Sequence, residues 1–426
     1  MFVDLRAAYD TVWHRGLTCK LLQLLPDRHM VRMIMEMVSN RSFTLTTGNS
    51  KRSRLRRIKN GVPQGSVMAP LLFNIYISDL PTTDLAIMHA DGDGQPVEGV
   101  LTKDMATVDE YLQTWKLKLS TPKMVSAAFH LNSKEAKREL KAKYNNEILP
   151  FCFEPKYLGV TLDRSLTYRR HLESLRKKLT SRVALLRRLA GSGWGAGAIT
   201  LRIATLALVH SIAEHFVPVW CRSAHTRLIG PTINDALRIV TGCMRPTPAD
   251  NLPTHTGIQP AGLRRIGATL SLVRRAMEPG HLLHLEFTRP SSANARRLKS
   301  KNPLVPTAQH LISLSANNNV RAAQWADYQW NAEWTDSSTR LRILITDTGT
   351  HASGMTLSRR AWFRLNRLRT GVGRFRSCLY KWDMASSAPC ECGAEEQTVD
   401  HVVLQCPIHR PPNGLHGLTV LDDETI

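Results

Sequence analysis

The chain has 426 residues, enough for two or three domains with a sizeable buried core. Its 42% apolar content excludes a largely disordered chain. Lys and Arg number 57 against 35 Asp and Glu, a formal net charge of +22 spread along the whole length, which makes a large polyanion, nucleic acid first, the fitting partner.

In chain order, "MFVDL" reads as a strand, and helices follow through "AAYDTVWH" and "TCKLLQLLP". Ser42 to Gly61 has alternating strands around a Gly-Asn-Ser turn, the pattern of a hairpin. Its second strand carries Lys51, Arg52, Arg54, Arg56, Arg57 and Lys59, a solvated edge or a phosphate rail. "APLLFNIYISDL" is apolar on nearly every side, with Pro70 suited to a first turn, and predicts a buried helix. Met105 to Leu119 reads as an amphipathic helix, "MVSAAFHL" as a strand and "EPKYLGVTLD" as a strand pair.

Within Ser165 to Gly191, Leu172, Leu175, Leu179, Val183 and Leu186 recur at helical spacing. The other faces hold Arg169, Arg170, Arg176, Lys177, Lys178, Arg182, Arg187 and Arg188, with Glu173 as the one acid. Such a helix either lies along a nucleic-acid backbone or is a solvated face. Gly191 to Thr200 reads as a linker, because no strand precedes it and no Lys-Ser/Thr follows, as a phosphate cradle requires. Ile203 to Trp220 is the most apolar stretch, yet it contains His210, Glu214 and His215; it is too short and polar for a membrane and reads as a core helix. Thr288 to Pro306 is polar, basic and punctuated by proline, a domain boundary.

Two segments carry chemistry. In "FVDLRAAYDTVWH", Asp4 ends a short apolar strand, where a carboxylate meets solvent; Asp10 follows as a second acid or a local cap. In "GVPQGS", Gly61 and Gly65 bracket Pro63-Gln64, so the backbone can bend and approach a ligand while Gln64 offers an amide.

Asp4 with "AAYD", followed by "NGVPQGSVMAPLLFNIYISDLP", resembles motifs A and B of reverse transcriptases of non-LTR (LINE-type, jockey-like) retrotransposons. "LKLSTPKMVSAAF" resembles motif D and "KYLGVTLD" motif E, in the family's order. The resemblance implies an α+β polymerase palm and nucleotidyl transfer through two Mg²⁺ or Mn²⁺ ions about 3.5–4 Å apart. It implies that Asp4 is a metal ligand, that Gln64 and Gly65 line the nucleotide pocket, and that Lys123 donates a proton at the leaving pyrophosphate. Tyr9 stands where the family packs an aromatic against the sugar, which implies deoxynucleoside triphosphates, an RNA template and a DNA primer or target.

Two departures from the family bear on activity. Only three residues precede Asp4, so the family's fingers are expected to be missing. Motif C is broken: in "SDLPTTDLAIMHADGDG", "DLAIM" matches the second aspartate and its strand, leaving Asp84 as a catalytic metal ligand and Thr83 in the first aspartate's place. A second alignment pairs Asp91 and Asp93 across Gly92. Losing a ligand shared by both ions predicts loss of primer extension.

Near the C-terminus, Cys390, Cys392, His401 and Cys406 make a tetrahedral zinc set, with His409 as a substitute for Cys406. Upstream, Ala361 to Trp382 interleaves Trp362, Phe363, Phe375, Tyr380 and Trp382 with Arg364, Arg367, Arg369, Arg374, Arg376 and Lys381. The rings stack bases and the cations track phosphates, or the rings form a small core and the arginines face solvent.

The sequence therefore predicts an α+β chain. Residues 1–165 are an incomplete palm of antiparallel sheet and helices, 166–288 a mostly helical thumb or connection, 289–320 a linker, and 321–426 a C-terminal region with a zinc-knuckle-like module at about 361–410. Arg54, Arg56, Arg57, Arg169, Arg170, Arg176, Lys177, Lys178, Arg374 and Arg376 are the candidate nucleic-acid contacts. Without a recognisable leader after Met1, reduced thiols and a nuclear or cytoplasmic location, neither secreted nor membrane-bound, are expected. The other reading is a nucleic-acid-binding protein working through the basic helix and the zinc module.

Overall fold

A computed structural model describes residues 2–46, 52–81, 95–129, 141–144, 147–191, 195–288, 324–338, 340–349 and 352–420, with Gly48, Glu139 and Ser313 singly. The chain divides into two units, Met1–Gly159 and Val160–Ile426. The first mixes helices with very short strands and the second is almost wholly helical, and every sheet among the described residues has two strands.

In the first unit, α1 (His14–Leu24) and α2 (Arg28–Val38) form a helical pair. Asp27 starts α2 by accepting a hydrogen bond from the His29 N–H at 2.8 Å, an N-cap that satisfies one orphan donor. β1 (Ser42–Phe43) pairs with β2 (Arg56–Arg57), and α3 (Ala69–Tyr76) and α4 (Gln95–Thr114) follow. β3 (Lys143–Tyr144) pairs with β4 (Glu147–Ile148), and β5 (Lys156–Tyr157) ends the unit. The core gathers Leu17 and Leu21 from α1, Val31 and Val38 from α2, Leu72 and Tyr76 from α3, and Leu112 from α4. Each such aliphatic side chain contributes about 1.5–3 kcal/mol on burial.

Three sequence expectations change here. α3 is not enclosed on all sides: Ala69, Leu72 and Tyr76 are buried, whereas Leu71 is 58% exposed. The stretch "AAYDTVWH" is mostly a turn closed by bonds from the Asp10 and Thr11 N–H groups to the Ala7 carbonyl, with Ala7 at φ 49°; the helix begins at His14. The expected strand after Lys123 contributes single bridges, Phe2 to Val125 and Ser126 to Phe151.

In the second unit β6 (Val160–Thr161) leads to α5 (Arg169–Leu189) and α6 (Ala198–Thr205). The apolar stretch then breaks instead of forming one helix. A π-turn at Leu206–His210 widens it, α7 (Ser211–Ala213) is a single turn, and Phe216 turns left-handed at φ 50°. α8 (Val217–Trp220) restarts around Pro218, whose ring suits a first turn but not a helix interior. α9 (Gly230–Thr241), α10 (Asn251–Thr256), α11 (Ala261–Ala276) and α12 (His284–Thr288) follow. Beyond them come α13 (Trp325–Thr335), α14 (Arg340–Leu344), α15 (Arg359–Thr370), α16 (Arg376–Lys381) and α17 (Gly414–Val420). The Leu/Val stripe of α5 packs on Val209, Val217, Trp220 and Ile233. A second core joins Trp334, Leu341, Trp362, Leu365, Val403 and Leu418.

Candidate functional site

Asp4 sits between two antiparallel bridges, Phe2 to Val125 and Leu5 to Leu119. The facing chain bulges between those bridges into a single 3₁₀ turn, Thr121–Lys123, with Pro122 in the turn. The Asp4 carbonyl accepts from the Ser120 N–H at 2.8 Å, which registers the two segments. The bulge brings Lys123 Nζ to 3.0 Å from Asp4 Oδ2, both side chains open to solvent. The pair contributes little stability there, so its meaning is positional: a carboxylate and a mobile ammonium share one exposed point.

The "GVPQGS" loop is fixed against the turn that follows Asp4. The Gly61 N–H donates to the Val12 carbonyl and the Val62 N–H to the Tyr9 carbonyl, both at 2.8 Å. Gly61 has φ 87°, and a Cβ there would lie 2.8 Å from the Asp10 carbonyl oxygen, so only glycine fits. His14 Nε2 and an Arg41 Nη2–H also reach the Gly61 carbonyl, at 2.9 and 2.5 Å. Beyond it, Pro63–Ser66 is a β-turn closed by Ser66 N–H to Pro63 carbonyl at 3.1 Å, with Gly65 at φ 86° in the position that demands positive φ. Gln64 and Gly65 occupy the exposed tip. Tyr9 stacks tilted on Phe73 of α3, 5.1 Å between centroids.

Asp84, with Thr83, Asp91 and Asp93, lies outside the described residues. Among the described residues no group of three ligands gathers around Asp4. One carboxylate does not make a two-ion magnesium site. A network missed in the sequence lies nearby in chain terms: Lys20, almost wholly buried, pairs with the half-exposed Asp79, which also accepts from Tyr111 O–H at 2.5 Å. Burial works against the Asp79 charge, but Lys20 and Tyr111 hold its carboxyl below the usual range. Position 20 falls on the buried Gly16–Leu17–Leu21 stripe of α1, but its charged side chain hides that in the sequence.

Of the expected nucleic-acid contacts, Arg54, Arg56 and Arg57 are exposed on the β1–β2 hairpin. Arg169, Arg170, Arg176, Lys177 and Lys178 all face solvent on α5. Glu173 pairs with Arg169 at 2.9 Å and with Arg170 at 3.6 Å. In the C-terminal region, Arg374 is exposed just before α16, while Arg376 is tied to Glu391 at 3.2 Å.

At the C-terminal end the cluster forms. Cys390, Cys392, His401 and Cys406 place one ligand atom each within 4.8 Å of one another. Cys390 Sγ and Cys406 Sγ are 3.8 Å apart, which matches the roughly 3.8 Å edge of a tetrahedron with ~2.3 Å metal–sulfur bonds. Cys392 Sγ lies 3.0 Å from His401 Nε2. Gly393, at φ 93°, turns the chain after the first two ligands, and a π-turn, His401–Gln405, delivers His401 one turn before Cys406. The Cys392 backbone N–H, with side-chain bonds from Cys392, His401 and Gln397, pulls the Cys390 thiol down to about 6. Cys392 goes the other way: the Ala394 N–H lowers it, but burial and the neighbouring thiols leave it raised. Three sulfurs and an imidazole of this geometry fit a metal ion. His409 is outside the set; its N–H donates to Cys406 Sγ at 3.4 Å.

Residues 1–162 match the family described as reverse transcriptase (RNA-dependent DNA polymerase). Among relatives, the RNA-directed DNA polymerase from mobile element jockey of Drosophila funebris is 34% identical over 197 residues, 43% of this chain and 21% of that protein. The probable RNA-directed DNA polymerase from transposon BS of Drosophila melanogaster is 28% identical over 270 residues, 57% of this chain and 29% of its own. A putative 115 kDa protein in type-1 retrotransposable element R1DM, also of Drosophila melanogaster, is 24% identical along 98% of this chain and 40% of its own length. The chain thus spans less than a third of the jockey and BS relatives. Residues 1–162 are a reverse transcriptase domain, and the chain's relatives are RNA-directed DNA polymerases of non-LTR retrotransposons of the jockey, BS and X-element kind.

Proposed function

We propose that this chain is the palm, thumb and C-terminal part of a non-LTR retrotransposon polymerase that engages an RNA template, a DNA primer or target and deoxynucleoside triphosphates. Residues 1–165 act as palm, 166–288 as thumb or connection, 289–320 as linker and 321–426 as the zinc-bearing end. The observation that supports it most is the 3₁₀ bulge that sets Lys123 3.0 Å from Asp4. In that role Asp4 would be one of the residues that hold a divalent ion, and Lys123 would stand where the leaving pyrophosphate takes its proton. Tyr9, braced by Phe73, excludes a 2′-hydroxyl, and Gln64 and Gly65 meet the nucleotide at the tip of their turn.

Catalysis itself is lost in this reading, because Thr83 stands where motif C needs its first aspartate. The purified chain, given primed RNA template with Mg²⁺ or Mn²⁺, then extends no primer. Robust templated incorporation refutes the loss and leaves the polymerase assignment standing. The second reading, a nucleic-acid-binding protein of the nucleus or cytoplasm, is favoured by the uniformly solvent-facing cations of α5. The C-terminal ligands hold zinc, which contributes about 10–16 kcal/mol of apparent folding free energy to such small modules. One zinc per chain by mass spectrometry under native conditions, lost on adding a strong chelator, is the expected result. No helix among the described residues is long and apolar enough to cross a membrane.

A further inference from the structure

α16 is six residues long, too short to persist without outside support. Its own N-cap, Phe375, offers no side-chain acceptor. The acceptors come from the loop between the metal-ligand pairs instead. The Arg376 N–H donates to Gln397 Oε1 at 3.0 Å, and the Ser377 N–H and Oγ–H donate to the Gln397 carbonyl at 3.4 and 2.9 Å. The other end of the same amide, Gln397 Nε2, donates to Cys390 Sγ at 3.7 Å. Gln397 is itself held by its N–H to the Ala388 carbonyl at 2.9 Å. A second strap runs in parallel, from Glu391, between two cysteine ligands, to Arg376 Nη2.

We propose that Gln397 is a positioning residue that couples metal occupancy to α16, so that a metal ion at the Cys390–Cys406 cluster sets the helix that presents Arg374, Tyr380 and Lys381 to single-stranded RNA. This rests on the metal reading above and adds the regulation of that site. An ion fixes the Cys390 thiolate, the thiolate orients the Gln397 amide, and the amide caps the helix. Arg374, just before α16, and Tyr380 and Lys381 at its C-terminal end are exposed, so a frayed α16 scatters the three while leaving them soluble. Arg376 is the exception: its guanidinium serves the strap to Glu391 rather than a phosphate.

The test uses the full chain, loaded with Co²⁺ as the probe, and a mixed-sequence single-stranded RNA oligonucleotide. Gln397→Ala removes both halves of the amide. Gln397→Glu keeps the acceptor for Arg376 and removes the donor to Cys390. Wild type and both variants bind one Co²⁺ with the absorption of a tetrahedral thiolate site, the variants about tenfold more weakly. Metal-loaded Gln397→Ala binds RNA about fivefold more weakly, the effect of one lost cap, while Gln397→Glu keeps the cap acceptor without the link to Cys390, so its protection at residues 376–381 no longer depends on the metal. In hydrogen exchange, residues 376–381 of the wild-type chain are protected only when the metal is present. If wild type shows no thiolate–Co²⁺ absorption, the metal reading falls and this inference with it. If Co²⁺ binds but residues 376–381 exchange equally with and without it, or Gln397→Ala binds RNA like wild type, the coupling is wrong and the metal site stands.

Discussion

α5 and α15 look alike in the sequence and do opposite work. Both are amphipathic, arginine-rich and poor in acids. On α5 the apolar stripe is buried, and Arg176, Lys177, Lys178, Arg182, Arg187 and Arg188 are exposed without a carboxylate partner among the described residues. On α15 the polar side chains turn inward and close the end of another helix. Arg359 donates to the Ile239 carbonyl, Trp362 Nε1 to Val240, Asn366 Nδ2 to Thr241 and Arg367 Nε to Gly242, at 2.9–3.5 Å. Those are the carbonyls that α9 leaves unbonded where it ends. Gly242, at φ 70°, makes the close approach possible, since a Cβ there would strike the Phe363 ring. An arginine count therefore states how much charge a segment carries. Whether that charge meets phosphate or a helix end depends on which carbonyls stand unsatisfied beside it.

Arg369 is where breaking this contrast costs most. It is fully buried, and its guanidinium donates to the Ser353 carbonyl and to Leu418 O, at 2.9 and 2.8 Å. Burial alone lowers its pKa to about 10. Arg369→Ala leaves a cavity and removes the donors to the Ser353 and Leu418 carbonyls, and should destabilise the second unit by roughly 3–5 kcal/mol. A urea-unfolding midpoint checks this; an unchanged midpoint would place Arg369 with the arginines of α5.

The effect of pH is the next largest. Burial, and then Arg369 beside it, push the fully buried His255 down to about 3, against a small opposing effect of Asn366. The folded pKa lies below the ordinary 6.5, so unfolding takes up a proton. The contribution of neutral His255 is complete above pH 6.5 and falls as pH drops toward 3, by up to about 1.4 kcal/mol per pH unit. His255→Gln should flatten that part of the stability–pH profile. Glu214, which burial disfavours but which His210 and Arg264 hold at about 2, adds a loss of the same sign between its ordinary 4.5 and 2.

Local patterns carried the elements, and partners decided the sites. The stripe of α5, the hairpin after Arg41 and the clustering of Cys390, Cys392, His401 and Cys406 were legible because spacing alone specifies them. The break at Leu206–Trp220 was hidden, because apolar content reports burial and not helical continuity. The inward turn of Arg367 and Arg369 was hidden too, since their acceptors lie more than a hundred residues away for Arg367 and about fifty for Leu418. Lys20 and Gln397 were missed for the same reason: each is defined by what it touches across the fold. In the reverse transcriptase domain, Asp4 and the "GVPQGS" turn were readable, but the bulge that carries Lys123 to Asp4 emerged only from the bridges around it.

The smallest change in stability should come from α5, and it completes the contrast. Replacing Arg176, Lys177 and Lys178 together by Glu removes three solvated cations and no hydrogen bond among the described residues. Each exposed substitution should move unfolding by no more than about 0.5 kcal/mol. If the helix lies along a nucleic-acid backbone, the same triple variant loses RNA affinity steeply, and the dependence of log affinity on log salt flattens by about two, the share of three phosphate contacts on a single strand. Fluorescence anisotropy across a salt series reads both quantities. A variant that keeps both its affinity and its salt slope makes α5 a solvated face, and the uncapped arginines would then owe their exposure to nothing more than an absence of nearby carbonyls.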